Sequence, residues 1–508
     1  MGAFDGLMQG FHVAFSLQGI LFVFIGVFIG TFIGMMPGLG PISAIAIMIP
    51  VTYGMNPSTA LVMMAGVYYG AVFGGSTSSI LLNAPGISGT VATAFDGYPM
   101  AQRGEAGKAL AIAAISSFVG GTVSVVLLML FAPALAQVAV SFGPAEYFAL
   151  MFLGLTAISS LSEGSTVKAL ISATMGFIAV TVGIDAQTGT SRFTFGNPNL
   201  LEGFDFLVIA LGLFALAEVC SLIINRKDSS LSEQSNIGNL KLSKSDLKEM
   251  RGPMSRQSII GFLLGVLPGA GATIASFIGY ITEKKIAKHP EEFGKGSIKG
   301  LSGPETANNA ATSGAFVPLL SLGIPGSGTT AVMLGAFMVM GIQPGPLLVQ
   351  DHPDVFWGII ASMYIGNIIL LLLNLPLIPY IAKLLKIPRP LLISLVIIFS
   401  LIGVYSISFN TFDLYVLLAF GVIGYLMRLF SFPAAPFILA FILGGMMEQS
   451  LRQALTSTGG SWKIFVTQPI SLTLLILSFL SFLVPFLSSQ WKKRKASGEE
   501  SMESKHTG

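Results

Sequence analysis

Charge is what this sequence has least of. Of its 508 residues only 10% are Asp, Glu, Lys or Arg, while 53% are hydrophobic; soluble domains carry about 25% charged residues. From Gly10 to Gln102 the only ionisable acid or base besides His12 is Asp96. A water-soluble globular chain is thereby excluded. The single cysteine, Cys220, excludes an intramolecular disulfide and a cysteine metal cluster. The four histidines, His12, His289, His352 and His506, are scattered, so no transition-metal site is expected. No G-x-S-x-G, HExxH or P-loop pattern occurs, which leaves hydrolase and ATPase chemistry without support, and neither enzyme activity nor a cofactor is expected. The first sixteen residues lack Lys and Arg, so the basic start of a cleavable signal peptide is missing. The net charge of +3 is small and its excess sits in loops, as membrane orientation requires, not nucleic-acid binding.

What is present in quantity is apolar sequence in long runs, the signature of membrane helices. Segments are read near 17–36, 58–93, 108–131, 144–162, 166–184, 204–225, 257–282, 304–341, 355–382, 388–408, 412–430, 433–450 and 468–488. They predict an all-α polytopic integral membrane protein with about 11–12 transmembrane segments. Residues 1–225 form a first half, 226–256 a cytoplasmic linker, 257–490 a second half and 491–508 a polar, disordered tail.

Two of these runs carry the same interruption. Gly34-Met35-Met36-Pro37-Gly38-Leu39-Gly40 and Gly265-Val266-Leu267-Pro268-Gly269-Ala270-Gly271 both read G-x-x-P-G-x-G. Proline removes a backbone donor and glycine weakens a helix, so each should break one. Broken backbone in a bilayer is tolerated only where protein or a wet cavity surrounds it. A second interruption follows in each half, at Asn83–Thr90 and Gly323–Thr330. One gap-free offset carries position 68 onto 308 and position 83 onto 323, so the halves read as a repeat.

Basic residues orient the chain. Arg226, Lys227, Lys241, Lys244, Lys248, Arg251 and Arg256 precede segment 257–282, and Lys284, Lys285, Lys288, Lys295 and Lys299 follow it. Both flanks should be cytoplasmic, so the segment between them should be a re-entrant hairpin with Pro268–Gly271 at its tip. Arms of about 11 residues reach about 16 Å, half of a ~30 Å hydrocarbon core. Arg103 and Lys108 place 94–108 inside, and Lys492, Lys493, Arg494 and Lys495 place the C-terminus inside. The pattern changes sides between halves: 51–58 has no basic residue where 283–299 is lysine-rich, and 342–354 carries Asp351 and Asp354 where 94–108 is basic. This predicts an inverted-topology repeat of re-entrant hairpins and discontinuous helices, the arrangement that permits alternating access around a midplane site.

Broken helices expose N–H groups that favour anions and C=O groups that can coordinate Na⁺. The substrate-binding candidates are Asn83, Pro85, Gly86, Ser88, Thr90, Asn308, Asn309, Ser327 and Thr329. The cation-binding candidates are Gly38, Gly40, Gly269, Gly271, Thr312 and Ser313. Asn308, Asn309, Thr312 and Ser313 are expected along one side of a helix facing the second break. For any single small or hydroxyl residue, close helix packing is the competing explanation; Tyr68 and Tyr69 are read as packing residues, and Glu305 as a dipole cap at a helix start. With no Lys or Arg in the middle of a segment and no central Asp or Glu to carry a proton, a co-transported Na⁺ is favoured over H⁺ as the countercharge.

Several of these stretches together carry a resemblance. Gly265–Ala272, His289-Pro290-Glu291-Glu292-Phe293-Gly294-Lys295-Gly296, Gly303-Pro304-Glu305-Thr306-Ala307-Asn308-Asn309-Ala310 and Gly323-Ile324-Pro325-Gly326-Ser327 resemble the large membrane subunit of the tripartite tricarboxylate transporters, the TctA family. Asp96-Gly97-Tyr98-Pro99-Met100 and Asn83-Ala84-Pro85-Gly86 match it too. The resemblance implies an uptake system of the bacterial cytoplasmic (inner) membrane. Its partners would be a periplasmic solute-binding protein (TctC-like) and a small membrane subunit (TctB-like), and its cargo a di- or tricarboxylate driven by a cation gradient. The rival reading is an ion or solute channel lined by re-entrant loops.

Overall fold

The computed structural model describes residues 3–36, 39–161, 165–185, 187–224, 237–269, 271–381 and 389–481. Pro37, Gly38, Ala270, most of the basic run 226–236 and the tail lie outside them. The described chain is helical except for loops and one short antiparallel pairing of Gly183–Ile184 with Ser191–Arg192. Among the described residues, seven helices are long and apolar enough to cross a membrane, and five shorter apolar helices accompany them. The breaks divide the expected segments 257–282 and 304–341, so these do not appear as single full-length spans.

Contacts divide the chain into two compact units, Met1–Ser141 with Val182–Phe430, and Phe142–Thr181 with Ser431–Gly508. In the second unit, helix Thr166–Val180 packs on Ala434–Ser457 so closely that a Cβ on Gly176 would lie 2.1 Å from the Phe437 carbonyl oxygen.

The first unit holds every interruption. Its relevant helices are α1 (Leu17–Gly34), α2 (Gly40–Val51), α3 (Pro57–Leu82), α4 (Val91–Met100), α5 (Ala106–Ala139), α6 (Lys244–Val266), α7 (Gly271–Ile286), α8 (Ile298–Gly314), α9 (Phe316–Leu322), α10 (Gly328–Val339) and α11 (Pro353–Asn374). The 257–282 segment is two helices, α6 and α7, joined at a turn where Gly269 and Gly271 have φ of +85° and +59°. The run 304–341 is three helices, α8 to α10. Gly323, at φ +72°, ends α9, and Asn83, at φ +50°, ends α3 in the same left-handed conformation. Asparagine tolerates that conformation better than most residues.

Helix α1 lies on α3 as α6 lies on α8, through the same positions. A Cβ on Gly34 would sit 2.1 Å from the Ala71 carbonyl oxygen, and one on Gly265 2.2 Å from that of Ala311. One turn earlier, Gly30 meets Val67 and Gly261 meets Ala307. From the other side, Gly74 meets Thr31 and Gly314 meets Phe262. The sequence offset of 240 residues carries Val67, Ala71 and Gly74 of α3 onto Ala307, Ala311 and Gly314 of α8, while their partners on α1 and α6 correspond at an offset of 231. Small residues let the backbones approach this closely, which is how helices associate where no hydrophobic force separates protein from lipid.

The loops sort as their charges do. Lys108 pairs with Asp246 at 2.8 Å, and Arg103 donates to the Lys295 carbonyl at 2.5 Å. Asp96 Oδ1 accepts the N–H groups of Gly294, Gly296 and Ser297 at 2.9, 2.7 and 2.7 Å. The basic stretches 94–108, 237–256 and 283–299 thus touch one another. The two stretches without basic residues, 51–58 and 342–354, meet through Ser58 and Asp354.

Candidate functional site

The interruptions converge. Within the second half, the Gly269 N–H donates to the Gly326 carbonyl at 2.9 Å, tying one break to the other. Within the first half, Gly86 rests against the Gly34 carbonyl, where a Cβ would come within 1.9 Å. Between halves, Ser88 and Thr273 hydroxyls are 2.7 Å apart, and Tyr68 reaches Ser327 across 3.4 Å. Gly89 faces Asn308 and Ala272. Residues far apart in sequence are thereby gathered into one place bounded by α3, α4, α7, α8 and α10.

At its centre is Asn308. It is 0% exposed, and among the described residues neither Oδ1 nor Nδ2 has a partner. A buried amide without hydrogen bonds costs about 1–3 kcal/mol, so a native chain keeps one only for a reason. Here the amide points at Gly89, whose missing side chain leaves it room: a Cβ there would be 2.6 Å from Oδ1.

The other candidates take different places. Ser88 and Ser327 line the junction, with Ser327 also capping α10 through Thr330. Thr329 is buried beside Tyr68. Thr90 spends its hydroxyl on the Gly75 and Ile87 carbonyls and fixes the break from within. Gly86 is buried and Pro85 half-buried in the extended stretch between α3 and α4. Asn83 is exposed at the end of α3 and makes the left-handed turn there. Gly40 and Gly271 open α2 and α7, and Ser313 is buried. Thr312 donates to the Asn308 carbonyl at 2.9 Å. Gly38 lies outside the described residues.

Two expectations require correction. Asn309 does not share a face with Asn308. Its Nδ2 donates to Ser117 Oγ at 2.8 Å and to the Glu305 carbonyl at 3.0 Å, because consecutive helical residues diverge by about 100°. Nor does Glu305 cap a helix. Helix α8 starts at Ile298 under Ser297 and runs through Pro304, so Glu305 stands mid-helix and 0% exposed. Its carboxylate accepts from Ser76 at 2.9 and 2.8 Å, from Ser117 at 2.8 Å and from Thr93. Tyr68, read as packing, brings its hydroxyl to the junction as well as stacking on Phe316. The sequence did carry a signal for Glu305: a carboxylate and two asparagines in a helix that is buried from Gly300 to Gly314. Ionisable residues within membrane helices are functional by default.

Outside the apolar helices, burial alone would raise the Asp246 carboxyl, but hydrogen bonds from Lys108 and Ser243 outweigh it and hold the carboxyl below its ordinary value. Among the described residues, no three His, Cys, Asp or Glu side chains gather to hold a metal ion.

The comparisons with known proteins agree with this architecture. The chain is 45% identical over 494 residues to an uncharacterized 52.8 kDa protein in the TAR-I ttuC' 3' region of Agrobacterium vitis, covering 97% of this chain and 98% of that one. It is 47% identical over 234 residues to an uncharacterized protein in the TAR-II ttuC' 3' region of the same organism, covering 46% of this chain and 97% of that one. No solved structure matches. The family model for the tripartite tricarboxylate transporter TctA family matches residues 20–439, and this multi-pass membrane protein belongs to that family.

Proposed function

We propose that the chain is the translocation subunit of a binding-protein-dependent secondary transporter that imports di- or tricarboxylates by cation symport. Family membership makes it a subunit of a tripartite tricarboxylate transporter; the mechanism is our reading. The observation that carries it is the chain of contacts that links the helix interruptions to one another, Gly34 to Gly86, Gly269 to Gly326 and Ser88 to Thr273, beside Asn308, whose amide is buried and has no partner among the described residues.

A carboxylate accepts hydrogen bonds, and the junction offers donors: the Asn308 amide, the hydroxyls of Ser88, Thr273, Ser327 and Tyr68, and the N-terminal N–H groups of α7 and α10. None of the named donors carries a full positive charge. A co-transported cation, Na⁺ or H⁺, supplies it and makes binding of the two interdependent; the buried mid-helix Glu305 removes the sequence argument that favoured Na⁺. The contacts repeated between the halves support an inverted repeat, with the α6–α7 and α1–α2 turns as re-entrant tips near the bilayer midplane. The gathering of basic loops on one face supports placing that face, and the C-terminus, in the cytoplasm of a bacterial inner membrane. A periplasmic solute-binding protein would deliver the carboxylate, and a small membrane subunit would complete the assembly.

Uptake of labelled citrate, tartrate and related acids into proteoliposomes tests the reading, with the purified binding protein and small subunit present and a Na⁺ or H⁺ gradient imposed. Accumulation above the external concentration that requires both the gradient and the binding protein is expected. Equilibration that stops at the external concentration would identify a channel and overturn the proposal.

A further inference from the structure

Glu305 is a buried titratable group that the carboxylate site leaves unused. It stands seven residues past the first residue of α8, about 10 Å along the helix at 1.5 Å per residue. Among the described residues its carboxyl contacts are all hydroxyls, from Ser76 of α3, Thr93 of α4 and Ser117 of α5. Three helices of the first half thus surround a carboxyl that the second half carries.

The charged and titratable groups of the helices packed on α8 are engaged elsewhere. Asp96 of α4 accepts the N–H groups of 294–297. Lys108 of α5 pairs with Asp246 of α6, and Arg256 of α6 pairs with Glu283 of α7 at 2.6 Å. On α3, Tyr69 donates to the Ser362 carbonyl and Tyr68 reaches Ser327; on α7, the Tyr280 ring packs against Phe95 and Phe293. The remaining charges of α6 to α8 lie at the helix ends beside the basic loops: those of 244–251, with Lys284, Lys285 and Lys299. An ionised carboxylate without a countercharge is costly in such a place, whereas a neutral carboxyl is not.

The hydroxyls suit both forms. Ser117 Oγ accepts from Asn309 Nδ2 at 2.8 Å, so its one hydrogen goes to Glu305 Oε2. Ser76 Oγ lies 2.9 and 2.8 Å from the two carboxyl oxygens with a single hydrogen to give, and Thr93 meets Oε1. When Ser76 or Thr93 turns from donor to acceptor, it takes up the hydrogen of the neutral acid without movement of a helix.

We infer that Glu305 carries the co-transported cation as a proton, neutral while the carboxylate is bound and ionised once the proton leaves to water. The inference rests on the symport reading above and names its ion. Glu305 and Asn308 are three residues apart on α8, where side chains are neighbours with about 5–6 Å between Cβ atoms. An ionised Glu305 would therefore repel a carboxylate held by Asn308. At about 7 Å and an effective dielectric constant of about 20, the repulsion amounts to a factor on the order of 50 in affinity for each charge pair. Each of the two ligands thus favours binding of the other, which is the interdependence that symport requires.

The full complex in proteoliposomes tests the carrier, with citrate and tartrate as probes, Na⁺-free buffers and an inward proton gradient, wild type against Glu305→Gln. The wild type should accumulate acid and draw protons from the medium as it does so. In Glu305→Gln the ratio of accumulation to exchange of internal for external acid should fall at least tenfold, because exchange needs no net proton transfer. Equal losses of accumulation and exchange would make Glu305 a structural residue and overturn the proposal. Wild-type accumulation that requires Na⁺ and moves no proton would overturn it too while leaving symport standing, and this result needs no variant to fold. Equilibration without accumulation would overturn the symport reading itself. Infrared spectra separate the two failures: a protonated-carboxyl band at neutral pH in the wild type, missing in Glu305→Gln, upholds the bound proton, and its absence from the wild type overturns it.

Discussion

Asn308 and Asn309 are adjacent in sequence and serve opposite sides of one helix. Asn309 is satisfied by Ser117 and a backbone carbonyl, whereas Asn308 has nothing. This contrast gives a prediction in which stability and activity part company. Asn308→Leu removes an unsatisfied buried amide, so the folded protein should lose no stability and should gain up to about 1–3 kcal/mol. Carboxylate uptake should nevertheless fall by more than tenfold, while Tyr69→Phe, which loses bonds to the Ser362 carbonyl and hydroxyl alone, should keep most of it. Thermal melting and uptake at matched expression measure both, and normal uptake by Asn308→Leu would remove the residue from the site. The sequence already marked Ser88 and Ser327, which flank proline–glycine breaks, and Asn308, an amide on a helix expected to face the second break. It did not separate Asn308 from Asn309, because the orientation of α8 is set by which helices pack around it. Glu305 was misread for a related reason: Gly-Pro-Glu looks like a helix start, yet the helix begins at Ile298 and tolerates Pro304 within it.

At the scale of elements, the breaks were legible and the helix pairing was not. Pro–Gly and Gly–x–Gly patterns announce turns whatever surrounds them, and Gly269, Gly271 and Gly323 occupy conformations that favour glycine. That Gly34 and Gly265 also serve as contact points for Ala71 and Ala311 emerges only when the helices are placed together. Gly34→Ala and Gly265→Ala should each destabilise the protein by about 1–3 kcal/mol, since a methyl group would collide with backbone that cannot move aside as a side chain can. Changing Gly40, whose Cβ position has nothing within 4 Å, should cost only the strain of its positive φ. Chemical unfolding in detergent would rank the three; equal effects at all of them would deny the close approach.

The whole molecule carries a charge pattern that survived into three dimensions. Loops that the basic residues assigned to one side do meet, with Lys108 and Asp246 as a joint between residues 94–108 and 237–256. Because the folded Asp246 carboxyl is held below its unfolded value, its contribution is present above about pH 3.9 and is lost as pH falls through the folded value. Lys108→Met should remove about 1 kcal/mol near neutral pH and flatten this acid limb, which melting curves between pH 3 and 7 would reveal. The number of spans was less legible than which loops meet. Hydropathy counts apolar length, and helices α2 and α10 are apolar without being long.

The central claim is that the four breaks enclose a carboxylate, and protection of a cysteine at their junction tests it most directly. With Cys220 replaced by serine, Ser88→Cys would be labelled by a maleimide in proteoliposomes, with and without the di- or tricarboxylate that the uptake assay identifies. Bound carboxylate should slow labelling at least tenfold, because Ser88, hydrogen-bonded to Thr273 at 2.7 Å, lines the junction it would occupy. An unchanged labelling rate in a protein still able to accumulate that carboxylate would mean that the breaks are packing elements and that the substrate passes elsewhere.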